Sequence, residues 1–177
     1  MNAIKRVLLL ICLAFSQQAQ TQTRGWHGIV PLHSSRQDVE RLLGPGKGLC
    51  HCEYSLEDGN ASIHYSGEPC AEVRERGWRV PRDTVITISF YPKMNTRFSE
   101  LPINKANYDK RADPEIQGAF GYFNERDGIL IEVDGDTVSG FYYTPAREDG
   151  HLRCASKRKP SRRHGRHLLT TTAVESF

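Results

Sequence analysis

"DTVITISFYP", residues 83–92, returns in altered form as "DTVSGFYYTP" at residues 136–145. Both stretches open with Asp-Thr-Val, close with Pro and have the same length. The first alternates strictly, with Ile86, Ile88 and Phe90 on one face and Val85, Thr87, Ser89 and Tyr91 on the other, the period of a half-buried strand. Outward from it lie "CHCEYSL" (50–56) and "ASIHYS" (61–66), joined through "EDGN", whose Asp-Gly marks a hairpin. Outward from the second copy lie "AFGYFN" (119–124) and "GILIEV" (128–133), the latter launched at Asp127-Gly128 as "ASIHYS" is launched after Asp58-Gly59.

Each trio of strands follows a helical signal. The clearer one is "SSRQDVERLLGPG" (34–46). Ser34 or Ser35 caps the first free N–H groups, and Gln37 or Asp38 completes a capping box. Val39, Leu42 and Leu43 form a narrow apolar stripe, and Gly44-Pro45 ends the helix. This helix, 35–43, is expected to pack that stripe against the Ile86/Ile88/Phe90 face or the neighbouring strand pair. The weaker signal spans 97–112, with Phe98, Leu101, Ile103 and Tyr108 as its apolar positions. The fold class that follows is α+β: two tandem helix-β-β-β units, pseudo-repeats 26–92 and 97–145, forming an antiparallel sheet with short helices on one face. Residues 21–154 make one domain, and Trp26 belongs to its core.

The chain opens MNAIKR, then VLLLICLAF, then small and polar residues. That order reads as a signal peptide over 1–20, its apolar run too short for the roughly 20 residues that span a bilayer. Ala14 and Ser16 suit a cleavage site, and the bulky Ile11 before Cys12 argues against lipid attachment. Secretion or export to a periplasm is therefore expected. Without Cys12, the even set Cys50, Cys52, Cys70 and Cys154 reads as two disulfides. Cys50 and Cys52 point to the same side of one strand and do not bridge each other; Cys70 is expected to take one of them and Cys154 the other. The CxC spacing is not that of a zinc site, so no metal or other cofactor is implied.

Charge divides the mature chain. Residues 17–154 carry 16 Lys and Arg against 20 Asp and Glu, a net of −4, while 155–177 carry six basic residues and one acid, a net of +5. The run KRKPSRRHGRH reads as a disordered basic tail, and its functional alternative is attraction to an anionic envelope component. Behind a signal peptide, no nucleic-acid partner is expected. The two halves differ most at "GEPCAEVRERGWRVPR" (67–82), where the second unit has only a tight turn. Long loops of this kind are often functional, and Trp and Arg are the commonest interface anchors. Trp78, Arg76, Arg79 and Arg82, with Arg74 beside them, are the candidate partner-binding residues.

Catalytic signatures are missing: there is no Gly-x-Ser-x-Gly, no His-Glu-x-x-His and no phosphate-cradling glycine loop. An enzyme would need a site assembled from scattered groups, among them His27, His33, His51, His64, His151, Glu53, Asp58 and Asp127. Two functions from different classes follow: a secreted or periplasmic binding module without catalysis, or a small secreted hydrolase built from those histidines and acids. A flat aromatic face favours the first, and a His–acid pair in a concave pocket the second. Asn60-Ala61-Ser62 is a glycosylation sequon expected on a turn.

The stretch "GIVPLHSSRQDVERLLGPG" (28–46) resembles the opening of the outer-membrane assembly lipoproteins of the BamE/SmpA type, in which a capped helix with Val and Leu-Leu precedes a three-stranded sheet. The beta-lactamase inhibitor protein is similar to two such units in tandem. As a whole, with its ordered part ending in "HLRC", the chain looks like uncharacterised secreted bacterial proteins. The resemblance implies a small α+β scaffold that binds proteins through a sheet face.

Overall fold

Helix α1 runs Arg36–Leu43, and its start is set by local chemistry. Ser35 Oγ accepts from the Asp38 N–H at 3.2 Å, while the Asp38 carboxylate accepts from the Ser35 N–H at 2.9 Å. The reciprocal partner is thus Asp38 rather than Gln37. Ser34 turns inward instead, where its hydroxyl accepts from the Val30 N–H. Gly44, at φ 83°, adopts a backbone that side chains disfavour, and Pro45 prevents another turn. The structure, a computed structural model, describes residues 24–70, 77–114 and 116–155. The expected signal peptide (1–20), Arg74, Arg76 and the basic tail beyond Ala155 lie outside the described residues.

Seven strands follow: β1 (His51–Ser55), β2 (Gly59–Tyr65), β3 (Val85–Pro92), β4 (Asp109–Ala112), β5 (Ala119–Asn124), β6 (Ile129–Asp134) and β7 (Thr137–Tyr143). They form one sheet in the order β1-β2-β3-β7-β6-β5-β4, antiparallel at every pairing. The two stretches that share Asp-Thr-Val thus lie side by side at its centre, with Ile88 opposite Tyr143 and Phe90 opposite Phe141. The architecture is mainly antiparallel sheet with little helix.

The second helical segment is not a helix. Residues 97–112 form two 3-10 turns, Phe98–Glu100 and Lys105–Asn107, and then β4. Pro102 forces Leu101 into an extended backbone, and the Asn104 side chain takes up the Ala106 N–H, so neither turn can propagate. The apolar residues singled out there still pack: Phe98 and Tyr108 are buried with Ile131, Val133 and Val138, and Leu101 and Ile103 lie against them.

One face of the sheet is covered. Trp26, Ile29, Val39, Cys52, Ile63, Val85 and Ile88 form the cluster beneath α1, and Phe141 packs against both this cluster and that of Phe98. Two expectations about this face need correction. Leu42 is 52% exposed, so of the expected stripe Val39 and Leu43 dock and Leu42 does not. The alternation of β3 also breaks. His64 pairs with Thr87 and Tyr65 with Val85, which leaves Ile86 unpaired as a β-bulge. The extra residue shifts the phase, so Val85 joins Ile88 and Phe90 in the core while Ile86 faces the other side.

Burial pushes the phenols of this core upward. Tyr143 is raised from 10.0 to about 12 by desolvation, and Tyr65 is raised by desolvation and by its hydrogen bond to Tyr54. The fold thus holds the neutral forms after the unfolded chain would ionise. Their contribution to stability is complete below about pH 10 and is lost as pH climbs toward 12. Urea midpoints measured at about pH 9 and 11.5 should fall sharply between the two. An unchanged midpoint would contradict the burial of these rings.

Candidate functional site on the open sheet face

The opposite face of the sheet is read from the register. A continuous row crosses all strands: Glu53, Ser62, Ser89, Tyr142, Leu130, Phe123 and Asp109. The β1–β3 half is polar, adding His51, His64, Asn60 and Thr87. The β7–β5 half is aromatic and aliphatic. There, Gly121 and Gly140 leave room for rings to lie on the sheet: a Cβ at Gly121 would stand 2.7 Å from the Phe123 ring, and one at Gly140 would stand 3.0 Å from that of Tyr142. Tyr91 packs edge-on against Tyr142 at 5.9 Å, and the Tyr142 hydroxyl donates to the Glu132 carboxylate at 2.8 Å. No helix covers these rings among the described residues.

One end of the aromatic half is bounded by a strap that a disulfide holds in place. Residues 77–79 run antiparallel beside 152–154: the Arg79 N–H donates to Leu152 O, the Cys154 N–H to Gly77 O, and Trp78 bridges Arg153. Cys70 joins Cys154 with Cα atoms 5.7 Å apart. This corrects the expected pairing. Cys52 points into the core under α1, where the Arg36 guanidinium donates to its Sγ at 3.0 Å, and Cys50 is exposed; both are free thiols.

Trp78 is half-buried and stands between two hollows. On one side it faces Ile86, His64 and Ser66. On the other it forms, with Arg153, the wall of a groove of about 510 Å³ that also takes in Phe123, Leu130, Pro145 and Arg147. A second groove of about 540 Å³ continues past Phe123 and Leu130 toward Glu132 and Ile116. Trp78 is therefore at the site, whereas Arg79 is exposed on the strap and Arg82 is engaged by Glu68 at 3.4 Å. Neither lines the groove. The arginines that do, Arg147 and Arg153, were not singled out from the sequence. Their only signal is that Arg153 precedes Cys154, and that signal means something only once Cys70 is known to be its partner.

The scattered histidines meet acids, but not as a relay. His51 Nε2 lies 2.6 Å from Glu53 Oε1 and 2.7 Å from Ser62 Oγ, so both partners share one nitrogen. A Ser–His–acid relay needs one partner on each ring nitrogen. The His51 and Glu53 side chains are also both more than half exposed. His33 meets the buried Asp149 at 2.9 Å, and His27 stands 4.0 Å from Asp58. His151 Nδ1 pairs with the Glu148 carbonyl.

Asp127 closes the β5–β6 turn, held by Arg126 and Asn124, and the Arg126 guanidinium keeps its carboxyl below the usual range. Asn60 lies within β2, not on a turn, and is exposed. Among the described residues no group of three or more His, Cys, Asp or Glu is placed to hold a metal ion, and no helix is long and apolar enough to cross a membrane. The chain matches no protein-family model, no curated protein and no solved structure.

Proposed function

We propose that this chain is a secreted or periplasmic binding module that engages a protein or cell-envelope component through the open face of its sheet, without catalysis. The observation that carries the reading is the uncovered band of Tyr91, Tyr142 and Phe123 with the aliphatic Leu130, abutting the grooved edge at Trp78. Partners recognise such surfaces by desolvating large rings, and Trp supplies more of that energy than most residues.

Two further features support the reading. The 28–46 stretch resembles BamE/SmpA-type modules, and tandem units of that kind in the beta-lactamase inhibitor protein imply protein binding by a sheet. When "DTVITISFYP" is laid on "DTVSGFYYTP", Ser89 matches Tyr142, and these two residues face each other across the β3–β7 pairing. That is the register two duplicated β-meanders related by a two-fold axis would adopt. The hydrolase alternative has less support, since its best cluster places both partners on one nitrogen of His51.

The test is capture from envelope extract by the immobilised mature protein, followed by the same experiment with Trp78→Ala. Loss of the Trp78 anchor at the groove wall should weaken specific capture at least about tenfold. The thermal midpoint should stay within a few degrees, since the ring is only half-buried. Equal capture by the variant would remove the reading.

A further inference from the structure

The charge around the groove says more than its apolar floor. Arg153 places its guanidinium 4.6 Å from the centroid of the Trp78 ring, and Arg147 lines the same groove. Among the described residues neither guanidinium has a carboxylate within ion-pair distance. Among the described residues the one acid lining the groove, Glu125, is already bound by Arg111 at 3.0 Å. Two unpaired guanidiniums therefore converge on a space walled by Trp78, Phe123 and Leu130. Arg153 is also preorganised, because stacking holds its side chain and the neighbouring Cys154 is tied to Cys70.

This positive charge is local. Residues 17–154 carry a net −4, so the arginine pair is a positive site on an otherwise acidic body. A groove of about 510 Å³ suits one or two side chains rather than a membrane plane.

Resting on the binding-module reading above, we propose that this groove receives an acidic segment of a partner protein. An apolar side chain of that segment lies against Trp78, Phe123 and Leu130, and flanking carboxylates engage Arg147 and Arg153. Planar guanidiniums favour carboxylates through paired hydrogen bonds, and the apolar floor supplies the desolvated contact.

The test uses the mature protein and two capped hexapeptides, Asp-Glu-Phe-Leu-Asp-Glu and its uncharged counterpart Asn-Gln-Phe-Leu-Asn-Gln, followed by tryptophan fluorescence and calorimetry. The acidic peptide should bind at least about tenfold more tightly, with the preference weakening as salt rises. Arg147→Gln/Arg153→Gln should abolish the preference, Arg147→Gln alone should reduce it, and Arg97→Gln, a variant away from the groove, should leave it intact. Equal binding of the two peptides, no binding of either, or a preference that survives in the double variant would overturn the proposal. So would binding of heparin fragments or anionic vesicles through these arginines in place of the peptide. If Trp78→Ala abolishes capture from the extract while the arginine variants do not, acid recognition fails and the binding module stands. If neither has any effect, both fail.

Discussion

Cys70→Ser and Cys154→Ser should each lower the unfolding free energy by about 4.5 kcal/mol, the loop-entropy value for a cross-link whose ends are 84 residues apart. The bond ties the strap that carries Trp78 to the end of the described chain. Its loss therefore releases the unfolded state and also loosens the groove wall in the native one. The double variant should cost no more than either single change, because both remove the same cross-link. Peptide mapping without reduction should find Cys70 joined to Cys154, with Cys50 and Cys52 open to alkylation. A Cys70–Cys52 peptide, or a loss below about 1 kcal/mol, would contradict the pairing.

Ile88→Ala should cost about 2–5 kcal/mol, the range for emptying a fully buried aliphatic site. Ile88 is completely enclosed on β3, where the cluster under α1 meets Tyr143 of β7, so little can collapse into the space it leaves. Leu42→Ala is the matching control. Although it continues the stripe begun by Val39, it is exposed, and its removal should change stability by no more than about 0.5 kcal/mol. Denaturant unfolding of the two variants beside the parent reads both values. If Leu42→Ala costs as much as Ile88→Ala, the helix is docked differently from the structure.

The contrast between these two residues shows how far periodicity reaches. Spacing places Val39, Leu42 and Leu43 on one side of a helix, but an eight-residue helix lying on a sheet buries only the part of that side that faces the strands. Ile86 makes the same point on β3. Strict alternation would put it in the core beside Ile88, yet one bulged residue turns it toward Trp78 and sends Val85 inward instead. A bulge is fixed by pairing with another strand, so no reading along a single strand can find it.

What the sequence by itself determined is local. It set the capped start and glycine-proline stop of α1, six of the seven strands and the hairpin turns between them, because each depends on residues within a few positions of one another. Only β4 escaped, a short charged edge strand without an apolar face. Trp78 stands out in the sequence as a large ring in a long loop, and the structure sets it in the wall of the candidate groove. The tertiary structure alone decided the strand order, with β7 rather than β4 beside β3, and the pairing of Cys70 with Cys154. It alone brought Arg147 and Arg153 to Trp78 as the charged side of the groove. These features join residues about 50 to 84 positions apart. At such separations loop closure sets little preference among partners, and the choice falls to packing of the whole sheet.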